Sequence, residues 1–278
     1  MKKIVLITLA ALSLISCRSL VLEDRTACPS FVFFNIANGD IFNGYDRVFM
    51  TIYSDPKGVL IDEGTPSVDE IQDLKFHFEV RSTPSVKGYG LIGNGNLNHD
   101  GSKWMSPLGQ DYAPLFRFQY CEPVQEESFI IPVEFVKDYC HVTVQFVGYE
   151  SFHTPNGEFP FYIIVRGNTN GIDALNGEPL RGPYEYSPEE TKETGHFEFN
   201  IPRLADEFLS LELYGKEGVF DETGHLRTFD LNEEIRNSGG IDWKQKNLPD
   251  IEIVINFVRW EVSMSIDPWE ESVLNYES

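Results

Sequence analysis

The sequence predicts an all-β fold organised as two antiparallel β-sandwich domains in tandem. Short runs in which every second residue is apolar recur along most of the chain, and this is the period of a half-buried strand. Clusters of Gly, Pro, Asn and Asp separate these runs. Because no helical crossovers lie between them, a pair of sandwiches is favoured over an α/β fold.

The predicted strands follow one another at short intervals. Residues 46–53 illustrate the pattern, since Val48, Met50 and Ile52 occupy every second position. The same reasoning predicts strands over residues 31–34, 74–80, 129–136, 142–147, 159–165, 195–201 and 208–214. Between them, residues 168–194 are expected to form a long polar loop.

Two short helices are expected as connectors. Residues 67–74 begin with Ser67, a favourable N-cap, and Glu70 follows three positions later. Residues 230–236 repeat this arrangement with Asp230 and Glu233, and Gly239 ends the turn.

The division between the domains is predicted near residues 136–141. There the apolar run over residues 129–147 is interrupted by the polar pair Lys137 and Asp138. The prediction assigns residues 29–136 to an N-terminal domain and 137–278 to a larger C-terminal domain. About 260 residues after the leader are enough for two cores, and one large domain is the alternative.

The first 17 residues have the pattern of a bacterial lipoprotein leader. Lys2 and Lys3 precede an apolar run of about a dozen residues, which is shorter than the ~20 that span a bilayer. The run ends in Leu14-Ile15-Ser16-Cys17, which is typical of a lipobox. We therefore expect a signal peptide over residues 1–16, acyl chains on Cys17, and a tether over residues 17–28. A plain exported protein with a chance cysteine at this point is the alternative.

The net charge excludes one class of partner. The formal charge is −22, and removal of Lys2 and Lys3 with the leader lowers it to −24. Because such a surface repels phosphate backbones, we expect no nucleic acid partner.

Several apparent chemical motifs fail their structural context. Residues 88–93 spell G-x-G-x-x-G, but the following Asn94-Gly95-Asn96 cannot open the helix that a dinucleotide site needs. The start of a calcium loop at Asn96 has Pro107 where a bidentate glutamate is required. The histidines show no metal-ligand spacing, and G-x-S-x-G is absent. We therefore predict no catalytic residue, no metal ligand and no cofactor.

The cysteines and tryptophans leave alternatives open. With Cys17 lipidated, Cys28, Cys121 and Cys140 allow at most one intramolecular disulfide, and the sequence does not choose the pair. Cys140 and His141 are adjacent on a predicted strand, so they point to opposite faces and cannot act together. The four tryptophans could stack on sugars, although core packing is the default.

The C-terminal segment contains a shift in its apolar pattern. Ile251, Ile253, Ile255 and Phe257 alternate, and the phase then moves by one residue, which requires a bulge or a turn. The second half is a candidate edge strand for addition of a partner strand, an interaction in which backbone hydrogen bonds supply the grip. The possible partner contacts are Val258, Trp260, Val262, Met264 and Ile266. An ordinary core strand with a bulge is the alternative.

Several short motifs, taken in order, carry a resemblance to a known family. They are the Cys17 tether leading to Ala27-Cys28-Pro29, the strand opening at Asp46-Arg47-Val48, the strand and turn over residues 87–96, the run over residues 129–148, and the final segments 250–257 and 266–269. In this order they resemble the fimbrillin-associated anchor lipoproteins, the FimB-type accessory subunits of type V pili. The resemblance implies two transthyretin-like sandwich domains and a structural role at the pilus base.

The sequence and the resemblance together favour a non-enzymatic function. We expect a lipid-anchored, surface-exposed pilus subunit of the outer membrane, which binds pilin shaft subunits, anchors the filament and limits its length. The alternatives are a surface glycan-binding lipoprotein of a nutrient-uptake system and an envelope hydrolase of sandwich fold. Exposed coplanar tryptophans around a groove would favour glycan binding, and converging perturbed carboxylates or a Cys–His pair would favour the hydrolase.

Overall fold

A computed structural model describes residues 28–38, 44–124, 127–149, 158–206, 208–217, 224–259 and 261–268. The predicted signal peptide, Cys17 and most of the predicted tether lie outside these residues. Trp260 and Trp269 lie outside them as well.

The described chain consists mainly of strands. The first half contains β1 (Ser30–Ile36), β2 (Phe49–Asp55), β3 (Leu60–Gly64), α1 (Val68–Gln72), β4 (Phe78–Val80), β5 (Ser85–Ile92), β6 (Asn98–Asp100), β7 (Lys103–Met105), β8 (Phe116–Pro123), β9 (Ser128–Val133) and β10 (Val136–Lys137). The second half contains β11 (Tyr139–Val147), β12 (Phe161–Asp173), β13 (Glu178–Tyr186), β14 (His196–Pro202), β15 (Leu209–Gly215), β16 (Gly224–Asp230), α2 (Leu231–Asn237), β17 (Asp250–Asn256) and β18 (Glu261–Asp267). The predicted all-β class is confirmed.

The first sandwich encloses its own core. A three-stranded sheet, β4-β1-β9, faces a five-stranded sheet, β10-β8-β5-β2-β3. The predicted alternation in β2 is confirmed, because Val48, Met50 and Ile52 are all fully buried in this core. Phe34 from β1 and Phe118 from β8 fill the space between the sheets. The core is therefore built from the period-two pattern of the sequence.

The second sandwich has the same two-layer construction. A four-stranded sheet, β14-β11-β17-β18, faces a larger sheet with the order β16-β15-β12-β7-β6, and β13 pairs with the far side of β12. The strands β11 and β17 are parallel neighbours. Inward side chains such as Val144, Ile163 and Ile253 are completely buried between the layers. Tandem sandwiches are thus confirmed.

The hairpin formed by β6 and β7 departs from the predicted domain division. It belongs by sequence to residues 29–136, yet β7 pairs with the end of β12 in the second sandwich. Trp104 from this hairpin donates a hydrogen bond from Nε1 to the Tyr89 hydroxyl on β5, at 3.3 Å. The hairpin therefore joins the outer face of β5 to the second core. Sheet pairing of this kind has no local sequence signal.

Two predicted segments differ from the structure. Over residues 74–80 only β4 is a strand, because Leu74 takes a left-handed conformation with φ of 53° and ends the turn after α1. The predicted loop over residues 168–194 contains the end of β12 and all of β13. Register shifts near Thr169 and the prolines of β13 hide this hairpin in the sequence.

The two predicted helices are present. In α1 the Ser67 side chain accepts a hydrogen bond from the Glu70 amide, and the Glu70 carboxylate accepts one from the Ser67 amide, which completes a capping box. In α2 the Asp230 side chain accepts from the amides of Asn232 and Glu233. Among the residues that the structure describes, no helix has the length and apolar character needed to span a bilayer.

The G-x-G-x-x-G segment has a packing role. Gly88 and Gly90 lie in β5, opposite Tyr120 and Phe118 of β8. A Cβ atom at Gly88 would collide with the Thr51 carbonyl oxygen and with the Tyr120 ring, and one at Gly90 would collide with the Phe118 ring. The absence of side chains lets the two aromatic rings cover the strand.

Replacing Gly88 with alanine is therefore expected to lower the free energy of unfolding by about 1–3 kcal/mol, the usual cost of overpacking. Chemical denaturation measures this change. Gly95→Ala is the matched control, because no atom lies within 4 Å of the position of its added Cβ. Equal stability of the two variants would contradict the packing explanation.

Candidate functional site at the edge strand β18

The C-terminal hairpin places β18 at the end of a sheet. It pairs with β17 in an uninterrupted antiparallel register from Asp250↔Asp267 to Asn256↔Glu261. Since β17 pairs with β11 on its other side, β18 is the terminal strand of the four-stranded sheet. Within the described part of the chain, no strand pairs with the outer side of β18. Its outward backbone N–H and C=O groups therefore form an edge that a further strand can extend.

The side chains of β18 alternate between two environments. Val262, Met264 and Ile266 are half-buried and pack against the second core. Ser263 and Ser265 are exposed on the opposite face, and the Ser265 hydroxyl donates to the Glu252 carboxylate at 3.3 Å. A strand added to this edge would meet apolar side chains on one face and small polar side chains on the other.

Other edges in the described chain are protected by proline or by short length. The edge strand β13 contains Pro179 and Pro183, and β9 contains Pro132. Proline lacks the N–H group that strand pairing requires. The terminal strands β4, β6 and β10 have only two or three residues each. None of these offers a long ladder of free backbone groups.

The remaining edges are covered or irregular. On the outer side of β14, the His196 carbonyl accepts a hydrogen bond from the Thr191 amide, and Glu190 forms a β-bridge with Phe197. Register shifts interrupt β3 opposite Tyr53 and β16 opposite Tyr214. By contrast β18 is seven residues long and regular, and it contains neither proline nor lysine. Among the described edges it is the least protected against strand addition.

The structure describes four of the five predicted contact residues. Val262, Met264 and Ile266 lie on β18, which is the separate strand that the phase shift predicts. Val258 lies instead in the turn between β17 and β18, where it is 73% exposed. The phase shift is therefore made by a turn, one of the two predicted possibilities, and Val258 precedes the edge strand. Its role as a partner contact stays a prediction. Trp260 falls outside the described residues.

No catalytic arrangement forms around the cysteines or histidines that the structure describes. Cys140 is buried while His141 is half-exposed, so the two side chains point to opposite faces as predicted. The Cys140 thiol donates to the Pro249 carbonyl at 2.8 Å, and burial raises the pKa of this thiol. A protonated, enclosed thiol is a poor nucleophile. Cys28, Cys121 and Cys140 are all unpaired, and no cluster of metal ligands occurs in the described ranges.

Asp111 is a perturbed carboxyl that the sequence analysis missed. Its side chain accepts hydrogen bonds from the Asn200 amide at 2.8 Å and from the Asn200 side chain at 3.2 Å. Burial raises the pKa of Asp111 to about 6 despite these hydrogen bonds. His141 contacts the same Asn200 side chain at 3.1 Å. The group therefore ties the loop after β7 to β14 without a neighbouring nucleophile.

The raised pKa gives a pH dependence of stability. The unfolded chain releases the Asp111 proton near pH 4, whereas the folded chain releases it near pH 6. The folded state therefore binds the proton more tightly, and stability from this group is present below about pH 4 and is lost as the pH rises to 6. Relative to Asp111→Asn, the unmodified chain should gain about 1–2 kcal/mol between pH 7 and pH 4.5, less than the full shift because the carboxyl is partly exposed.

Chemical denaturation of both chains at the two pH values measures this difference. If the free energies of unfolding of the unmodified chain and of Asp111→Asn differ by the same amount at both pH values, the assignment to Asp111 is contradicted.

The fold shows to which structural class the protein belongs. The chain is a two-domain, all-β protein in which each domain is a pair of packed sheets. No protein-family model matches the sequence, and no curated protein matches it.

Solved structures with the same fold come from bacterial surface proteins. The fimbrial anchor protein Mfa2 from Porphyromonas gingivalis has a TM-score of 0.58 and 12% identity, and the match covers 87% of this chain and 98% of Mfa2. A proposed polysaccharide-binding protein from Bacteroides thetaiotaomicron has a TM-score of 0.58 and 13% identity, with 88% and 99% coverage. A proposed adhesin from the same organism has a TM-score of 0.56 and 13% identity, with 87% and 97% coverage. At these identities the similarity establishes a shared fold.

Proposed function

We propose that this chain is a non-enzymatic accessory subunit of a fimbria. In this proposal acyl chains on Cys17 hold it in the outer membrane, facing the cell surface. Its folded part binds a pilin shaft subunit, so that the filament is anchored and its length is limited.

One observation carries the proposal. The fold of the fimbrial anchor Mfa2 is reproduced along nearly the whole of both chains, and so includes both sandwiches and their order. The lipobox ending at Cys17 is independent support from the sequence.

The edge of β18 is the proposed contact with the pilin. A filament anchor has to resist shear, and backbone hydrogen bonds along an extended strand supply many contacts that break together. The strand β18 is regular and has no described strand on its outer side, and its half-buried side chains Val262, Met264 and Ile266 offer apolar contacts to an added strand.

The function is tested in cells that carry or lack the protein. With the protein, pili should co-purify with the outer membrane. Without it, they should be recovered from the medium and should be longer in electron micrographs. Membrane-bound pili of normal length in cells without the protein would overturn the proposal.

A proline scan of β18 tests the proposed contact separately. Consecutive residues of a strand direct their N–H groups to opposite edges. Of the variants Val262→Pro and Ser263→Pro, one therefore removes an N–H group of β18 that faces β17, and the other removes an N–H group of β18 that faces the free edge. The free-edge variant should keep its melting temperature and lose most of its retained pilin. Ser263→Ala keeps the N–H group and is the matched control. Full pilin retention by both folded proline variants would exclude β18 as the contact.

A further inference from the structure

A cleft lies where the two sandwiches meet. It has a volume of about 850 Å³, within the range of ~300–1,000 Å³ that small-molecule sites occupy. Its walls come from β8, from the turn between β12 and β13, from the residues after β14, and from the loop between α2 and β17. Both halves of the chain therefore contribute to it.

A buried arginine forms part of the cleft wall. Only 9% of the Arg117 side chain is exposed, and its Nε atom donates to the carboxylate of the fully buried Asp138. Its Nη1 atom donates to the exposed Gln119 side chain at 2.8 Å. No acceptor for Nη2 lies within hydrogen-bond distance among the described residues. The Nη2 atom therefore makes no hydrogen bond with the described residues.

A glycine turn packs against this guanidinium. A Cβ atom at Gly177 would lie 2.9 Å from Nη2 and 3.2 Å from Cζ of Arg117, so the guanidinium lies directly against the backbone of the turn. This contact and the Asp138 carboxylate hold the arginine in one position. A fixed guanidinium loses little conformational freedom when it binds an anion.

A second arginine positions the opposite wall. Arg203 shares the Asp138 carboxylate, at 2.8 Å, and donates to the carbonyl oxygens of Trp243, Gln245 and Lys246. These bonds fix the loop that carries the half-buried Trp243 into the cleft lining. The arrangement thus places an aromatic side chain and a guanidinium in the walls of one cleft.

The charge of the cleft differs from that of the rest of the protein. Its lining carries four basic and four acidic side chains and is neutral, whereas the whole chain has a net charge of −22. Two of the four basic side chains, Arg117 and Arg203, share the carboxylate of the buried Asp138. An anion is therefore repelled less here than elsewhere on the surface.

From this geometry we propose that the cleft binds an acidic oligosaccharide, with a sugar carboxylate on Arg117 and a sugar ring against Trp243. Carboxylates form charge-assisted, bidentate hydrogen bonds with guanidinium groups, and Gln119 is exposed and can release Nη1 for such a pair. The amide side chains of Gln119, Asn176 and Gln245 supply donors and acceptors for hydroxyl groups.

An acidic peptide fits the cleft less well. The wall over residues 241–246 is a loop with turns and not a strand, so it offers no ladder of backbone groups to an extended peptide. The polar groups available are separate side chains around an aromatic ring, an arrangement suited to a compact polyhydroxy ligand.

Isothermal titration calorimetry of the full chain with trigalacturonic acid tests the proposal. The trimethyl ester of the same sugar is the neutral control, and triglutamate is the peptide control. We expect the acid to bind at least about tenfold more tightly than its ester, because the ester removes the charge-assisted pair with Arg117. Triglutamate should bind more weakly than the sugar acid, because it lacks a ring to place against Trp243.

Variants separate the two parts of the site. Trp243→Ala removes the ring but leaves the carbonyl that accepts from Arg203, and it should weaken binding by about tenfold or more. Arg117→Lys keeps the charge but loses the bidentate geometry, so it should reduce the preference for the acid over the ester. Arg81→Gln removes an exposed arginine that pairs with Glu79 outside the cleft, and should have no effect. Melting curves by circular dichroism show whether each variant folds.

Three results would overturn the proposal. They are no binding of trigalacturonic acid by the folded chain, equal binding of the acid and its ester, and binding unchanged by a folded Trp243→Ala variant. Preferential binding of triglutamate would assign the cleft to acidic peptides instead.

Discussion

Replacing Asp138 with alanine is expected to lower the free energy of unfolding by about 3–5 kcal/mol, the cost of breaking a buried ion pair by removing one partner. Asp138 is completely buried and its two carboxylate oxygens accept hydrogen bonds from Arg117 and Arg203. Without it, two guanidinium groups remain in the interior with no opposite charge between them. Arg203 also holds the loop over residues 243–246, so the loss should extend to that loop.

Urea denaturation measures the change, and Asp73→Ala is the matched control. Asp73 pairs with Lys75 at 2.6 Å, but both side chains are more than half exposed. Exposed pairs contribute about 0–1 kcal/mol. A cost for Asp138→Ala no larger than that of Asp73→Ala would show that the buried cluster does not stabilise the fold.

Replacing Cys17 with alanine is expected to move the protein from the membrane fraction to the soluble periplasm or the medium. The proposal attaches the acyl chains to this cysteine, and each buried CH₂ group of a lipid contributes about 0.8 kcal/mol to membrane binding. In this proposal the acyl chains are the attachment to the membrane, so the expected effect is almost complete.

Fractionation followed by immunoblotting measures the distribution. Cys28→Ala is the matched control, since Cys28 is exposed and unpaired and lies outside the lipobox. Unchanged membrane association of Cys17→Ala would contradict the lipid attachment. The same variant should also release pili into the medium if the anchoring function is correct.

Local pattern was sufficient to predict much of the fold. Strands such as β11 and β17 bury one face against a single core, so their apolar residues alternate and the pattern is visible in sequence. The helix α1 was predictable because its cap is formed by Ser67 and Glu70, which lie within one turn of each other. The separate strand β18 followed from a change of phase.

Features formed between distant residues were not predictable in this way. The strand β13 lies at an edge with an exposed face, and its prolines and Gly182 resemble a loop in composition. The hairpin of β6 and β7 is defined by pairing with β12, more than 60 residues further along the chain. Arg117 and Arg203 lie 21 and 65 positions from Asp138, so only the three-dimensional fold shows that they share it. The polar pair Lys137 and Asp138 predicted the division between the domains, and both residues are buried.

The hairpin of β6 and β7 has a mechanical consequence. The backbone passes from the first sandwich to the second before β6, returns to the first at β8, and passes to the second again at β11, so three covalent connections join the sandwiches. A pulling force applied between β1 and β18 is shared among these connections, the pairing of β7 with β12, and the Asp138 cluster. The two sandwiches are therefore not two separate bodies joined by a single linker. Moving one sandwich away from the other also requires the strand pairs between β7 and β12 to break.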